Sequence, residues 1–231
     1  MLIEMIEQMS EENRKEAYAA IKTLATADFI YDEDANDLYD PSWDDNFNYY
    51  TGATKVCIVV GRLVFKTSYT GFVEVWGDEK KGIEDKIIHY DEESVDYADV
   101  EYKVYQHAIT WGVDKFFAPI ESLGNGVYVQ ARVERWFDMC RRFTPTSIKE
   151  NPEIQATIDI IKEYDLYPIP EGLTHACLIN KLATLDELKK LATFIDSFDI
   201  NDLHDGNLGW YDGHPVIFDY CGYDSSTSRQ V

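Results

Sequence analysis

The tightest constraint on this chain is a two-residue turn. Asp212-Gly213 stands between apolar runs near Leu208–Tyr211 and Pro215–Phe218. An Asp-Gly pair flanked this way closes a β-hairpin, because both residues tolerate the left-handed backbone such a turn needs. The hairpin fixes what lies on either side of it. Upstream, "TLDELKKLATFIDSF" opens with a capping box, Thr184 and Glu187, and repeats Leu185, Leu188, Leu191, Ile195 and Phe198 at helical spacing. Asp202 and Asn207 of "INDLHDGN" therefore fall in a helix-to-strand loop, and Asp219 falls just past the hairpin. A helix end and a strand end can bring these three side chains together. Two carboxylates and an amide suit Mg²⁺, a hard ion that takes few protein ligands when phosphates supply the rest. Two other readings stay open: His204 and His214 with an aspartate as a two-histidine metal site, or an acidic loop whose aspartates only cap helices and turns.

Before this stretch the pattern changes twice. Residues 10–26 read as a helix capped by Ser10, with Ala17, Ile21, Leu24 and Ala25 on one face. Short β-runs follow: 55–60 and 63–69 across a Gly61-Arg62 hairpin signal, with 72–76 as a third strand. Residues 78–96 are charged and read as an exposed connection. Residues 96–112 read as a helix, with Val100, Val104, His107 or Ala108, and Trp111 recurring and Gly112 as its stop. Residues 116–133 read as a hairpin turning at Gly124-Asn125-Gly126. After it the expectation is helical: "ERWFDMCRRF", then "NPEIQATIDIIKEYD" with Asn151 as cap and Pro152 at the first position. The fold class is thus α+β: an N-terminal helix and acidic segment (1–50), a β-rich lobe (51–133) and a helical lobe (134–231). The hinge is expected near Ala131–Arg135, and a cleft between lobes is where a ligand belongs.

Charge excludes some partners. Among 231 residues, 21 basic face 43 acidic, a formal −22. Such a surface repels nucleic-acid phosphates and lipid headgroups. It suits solubility, or else docking on a basic protein partner as a mimic of a DNA backbone. The densest acidic run, Asp28 to Tyr50, has no Lys or Arg. Cys57, Cys140, Cys177 and Cys221 are scattered without a C-x-x-C pair, which points to free thiols in a reducing cytosol. No apolar run is long enough to span a bilayer and no signal-peptide layout opens the chain, so the expectation is cytoplasmic.

Together, "NDLHDGNLG", the Asp-Gly hairpin and "VIFDY" resemble the catalytic loop and metal-binding aspartate of the protein-kinase-like superfamily. The match is nearest to the D-L-H-x-G-N form of aminoglycoside and choline phosphotransferases. The whole also resembles short phage-borne kinase-like proteins with a D-L-H-D-G-N signature. The resemblance spans roughly Thr51 to Tyr223 and implies a minimal two-lobed kinase-like fold that binds Mg–ATP and phosphorylates a hydroxyl acceptor. It implies Asp202 as the residue orienting the attacking hydroxyl, and Asn207 and Asp219 as Mg²⁺ ligands. Lys66 becomes the strand lysine on the phosphates, and Glu101 the helix carboxylate orienting that lysine, with Asp99 and Glu93 as its rivals. Adenine would be received at the hinge, around Ala131. Two departures accompany it: only Gly52 stands where a glycine-rich phosphate loop is expected, and no activation segment follows Asp219. They support the rival expectation of a pseudokinase, a catalytically silent kinase-fold protein that acts by binding, possible targets including a host nucleic-acid enzyme.

Overall fold

A computed structural model describes residues 2–26, 48–51, 55–68, 72–78, 83–89, 96–135, 159, 166, 168–200 and 203–220. The chain is α+β, and it divides into two compact units: Met1–Asp99 with Glu121–Gln130, and Val100–Ile120 with Ala131–Val231.

In the first unit, helices α1 (Leu2–Gln8) and α2 (Glu11–Thr26) precede the strands β1 (Asn48–Thr51), β2 (Lys55–Val60) and β3 (Leu63–Ser68). Ser10 caps α2 as expected, its hydroxyl accepting from the Asn13 amide at 3.1 Å. Ala17 and Ile21, one turn apart, are fully buried, and α2 packs against β2 and β3. The β2–β3 hairpin turns on Gly61, whose φ of 60° is the left-handed conformation glycine adopts without strain. β4 (Phe72–Asp78) and β5 (Ile83–His89) pair antiparallel from Phe72↔His89 to Asp78↔Ile83. β5 corrects the reading of 78–96 as a connection. Glu84, Asp85 and Lys86 stand in a row and leave it no alternation, and cross-strand pairing outweighed that local polarity.

Helix α3 (Tyr97–Trp111) then starts under two side-chain caps. Asp96 Oδ1 accepts from the Asp99 amide at 3.0 Å, and the Ser68 hydroxyl accepts from the Ala98 amide at 2.9 Å. It stops at Gly112, φ 62°, where the Val113 amide donates back to the Ala108 carbonyl at 2.9 Å. β6 (Ile120–Gly124) and β7 (Val127–Ala131) follow, joined through Asn125-Gly126 with φ of 54° and 71°. They complete a five-stranded sheet ordered β1-β2-β3-β7-β6. The Thr67 hydroxyl ties β3 to this turn by donating to the Gly126 carbonyl at 2.7 Å.

In the second unit, Glu134–Arg135 are strand β8, not the start of a helix. The correction has a physical cause: Glu134 pairs with Trp210 and Arg135 with Gly209, so these residues are claimed by a sheet edge. The rest of the proposed helix from 134 lies outside the described residues, as does the one from 151 apart from Asp159, which is helical. Helix α4 (Glu171–Ile179) had no counterpart in the sequence reading. Helix α5 (Leu185–Ser197) carries the expected capping box: the Glu187 amide donates to Thr184 Oγ1 at 3.2 Å and the Thr184 amide to Glu187 Oε2 at 2.8 Å. Its buried residues are Leu188, Leu191, Phe194 and Ile195, so the face is rotated toward Phe194 and away from Leu185. Phe194 sits 5.6 Å, edge to face, from both Trp111 and Phe117. Such ring pairs add about 0.5–1.5 kcal/mol beyond area burial.

Candidate functional site

The end of α5 aims the chain at the loop. Asp199 adopts φ 48°, and the Ile200 amide donates back to the Ile195 carbonyl at 3.0 Å, which closes the helix with a left-handed residue. Ile200 is buried. Asn201 and Asp202 lie outside the described residues. From Leu203 the loop is built from its own atoms. The Gly206 amide donates to His204 Nδ1 at 3.0 Å, and the Asn207 amide donates to the His204 carbonyl at 2.9 Å. In the first of these bonds Nδ1 serves as the acceptor. The turn also needs a glycine, because a Cβ on Gly206 would stand 2.7 Å from the His204 ring. His204 thus folds back on the loop it belongs to.

Asn207 leads into β9 (Leu208–Tyr211), which pairs with β10 (His214–Ile217) in register Leu208↔Ile217 through Tyr211↔His214. Asp212 and Gly213 take φ of 51° and 76°, the paired left-handed turn expected of Asp-Gly. Beyond the ladder, the Phe218 amide donates to the Asn207 carbonyl at 3.0 Å. This bond brings Asn207 beside the Phe218-Asp219 segment. Tyr220 anchors the other side of Asp219: it is fully buried, and its ring lies 5.0 Å from that of Phe117. The Ala118 amide also holds β10 from beside it, donating to the Ile217 carbonyl at 2.8 Å. Asp219 is therefore fixed on both flanks and half-buried, while the Asn207 side chain is 9% exposed. Asn207 and Asp219 thus stand on adjacent segments at the base of one hairpin.

Residues missed in the sequence reading hold this base in place. Gly209 lets β8 approach β9, since a Cβ there would meet Val133 Cγ2 at 2.7 Å and the Glu134 carbonyl at 2.8 Å. A glycine inside a strand pattern is the signal that would have found it. Phe117 and Tyr220 look like ordinary apolar residues in sequence, and only the fold shows their role. His214 is structural: Nδ1 lies 3.0 Å from the Pro215 carbonyl, Nε2 3.4 Å from the Leu182 carbonyl, and the ring stands edge-on to Phe116 at 5.5 Å.

Of the upstream candidates, Lys66 lies on β3, opposite Cys57 of β2, and is 4% exposed. Glu101 lies in the first half of α3 and is fully buried. Ala131 ends β7, 1% exposed, and its amide already donates to the Pro119 carbonyl at 2.9 Å. Gly52 lies outside the described residues. By range, Lys66 belongs to the first compact unit, and Glu101, Asn207 and Asp219 belong to the second. Below the hairpin, Lys115 Nζ meets Glu187 Oε1 at 2.5 Å. This bond, with that from the Thr184 amide, holds the Glu187 carboxyl down at about 2. Burial pushes the Cys177 thiol up to about 12.

No family model, curated protein or solved structure matches the chain. Among the described residues, no helix is long and apolar enough to cross a membrane.

Proposed function

We propose that the chain is a minimal kinase-like protein that binds Mg–ATP and passes a phosphoryl group to a hydroxyl acceptor. One observation carries this reading. Among the described residues, only seven polar or charged side chains are buried, and Lys66, Glu101 and Asn207 are three of them. Lysine and glutamate are almost never fully buried unless paired, because a desolvated charge is costly. Their burial at positions chosen from motif logic alone favours a built site over a coincidence of surface charges. The third-strand position of Lys66, the helical position of Glu101 and the hairpin joining Asn207 to Asp219 fit the same scheme.

In this scheme Lys66 holds the phosphates and Glu101 orients Lys66. Asn207 and Asp219 hold the metal ion, which when bound offsets negative charge on the phosphates. Asp202 orients the attacking hydroxyl. The chemistry is assigned to a reducing cytosol, on the evidence of the scattered cysteines.

The net charge of −22 favours a second reading, a catalytically silent protein of the same fold whose acidic surface docks on a basic partner. Thermal unfolding with and without Mg–ATP tests the first. At a hundred times Kd, binding adds about 2.7 kcal/mol, or about 5–10 °C in Tm for a chain this size. Wild type should shift and Asp219→Ala should not. An unshifted, folded wild type would remove the nucleotide reading and leave the docking one.

A further inference from the structure

We infer that Gln130 reads the base of the nucleotide through its side-chain amide, an inference that rests on the nucleotide-binding reading above. Gln130 is 2% exposed, and its Nε2 has no hydrogen-bond partner among the described residues. A buried amide N–H left without an acceptor is rare in a native fold, and each instance calls for a reason.

Its position supplies one. Alternation along β7 puts Gln130 on the same sheet face as Tyr128, whose hydroxyl donates to Asp99 of α3 at 2.7 Å. Alternation along β3 puts Lys66 on the same face as Ser68, whose hydroxyl accepts from the Ala98 amide of α3. β3 and β7 are neighbours in the sheet. Lys66 and Gln130 therefore share the α3 face of adjacent strands. One offers a cation suited to phosphate, the other an uncommitted donor.

The Ala131 amide next to Gln130 does not compete for the base. The Ala131 amide is committed to Pro119, so a base approaching this strand end meets the Gln130 donor first. Purines present ring nitrogens N1 and N7 on either side of the 6-position, both acceptors in adenine. A glutamine amide is the side chain that pairs naturally with that edge. The Gln130 Nε2–H donates to one of these two nitrogens.

The test is a titration of the full chain, wild type and Gln130→Leu, with Mg–ATP and with the 7-deaza and 1-deaza triphosphates in Mg²⁺. Wild type should bind ATP about tenfold more tightly than the analogue lacking the contacted nitrogen. Gln130→Leu should bind ATP about tenfold more weakly than wild type and should no longer tell the two apart. Leucine removes an unsatisfied donor, so Tm without nucleotide should hold or rise, which separates lost recognition from lost folding. Gln130→Met, closer in shape, replaces Gln130→Leu if the branched side chain disturbs the sheet. Undiminished ATP affinity and discrimination in the variant would overturn the role of Gln130 while leaving nucleotide binding intact. Equal binding of all three triphosphates by wild type would overturn it as well. A wild type that binds no triphosphate would overturn both this inference and the reading beneath it.

Discussion

If Glu101 orients Lys66, the two form a buried ion pair and must answer to a double-mutant cycle. Lys66 is 4% exposed and Glu101 fully buried, whereas the surface pair Lys15–Glu11 has both side chains 75% exposed. A helical surface pair of that kind is worth about 0.3–0.5 kcal/mol. Breaking a buried pair by removing one partner costs about 3–5 kcal/mol, because the other charge is left desolvated. Glu101→Leu removes the carboxylate and strands the ammonium. Lys66→Met keeps most of the stem and strands the carboxylate. Each should lower stability by about 3–5 kcal/mol, and Lys66→Met/Glu101→Leu should recover most of the loss. Denaturant titration followed by circular dichroism measures all four corners, with the m-value checked because two compact units can unfold separately. Additive losses in the double variant, or single losses below about 1 kcal/mol, would refute the pairing.

Three further outcomes follow from groups near the hairpin. The Glu187 carboxyl is held at about 2, below its ordinary 4.5, so its contribution is complete above about 4.5 and disappears as pH falls toward 2. Since its side chain is 43% exposed, solvent screening limits that contribution to about 1 kcal/mol. Glu187→Gln should lose this amount at pH 7, and the gap to wild type in urea titrations should close between those two pH values. The buried Cys177 thiol, raised to about 12, should resist alkylation at pH 8 in peptide-mapped mass spectrometry and react only once the chain unfolds. Labelling at the rate of a free thiol would contradict its burial. For His204, an acceptor in place of Nδ1 should suffice. His204→Asn should keep Mg–ATP affinity within about threefold, and His204→Ala should lose about tenfold, the worth of one positioning hydrogen bond.

The turn and the helix start around the candidate site were legible because their signals are local. Asp212-Gly213 specifies its turn through the two residues alone, and Thr184 with Glu187 specifies the start of α5 within one helical turn. The strand that carries Lys66 and the helix that carries Glu101 were legible from the apolar residues around them, while the burial of both side chains shows only in the fold. What escaped depends on partners distant in sequence. Ile83–His89 forms a strand because Phe72–Asp78 pairs with it, not because its own pattern alternates. Glu134 and Arg135 are extended because Trp210 and Gly209 hold them, some seventy-five residues away. Phe194 faces the core, where the sequence reading favoured Leu185, because Trp111 and Phe117 form the pocket it enters. Helix α4 follows Pro168 and Pro170, with Pro170 at its N-cap, and no side-chain cap marks its start.

The proposal that Lys66, Asn207 and Asp219 serve one Mg–nucleotide site is tested most directly by calorimetric titration of the purified chain with ATP. The prediction is one saturable site per chain in Mg²⁺, abolished by EDTA and by Asp219→Ala and weakened at least tenfold by Lys66→Met. A folded wild-type chain that gives no binding heat at millimolar Mg–ATP, at more than one temperature, would contradict it.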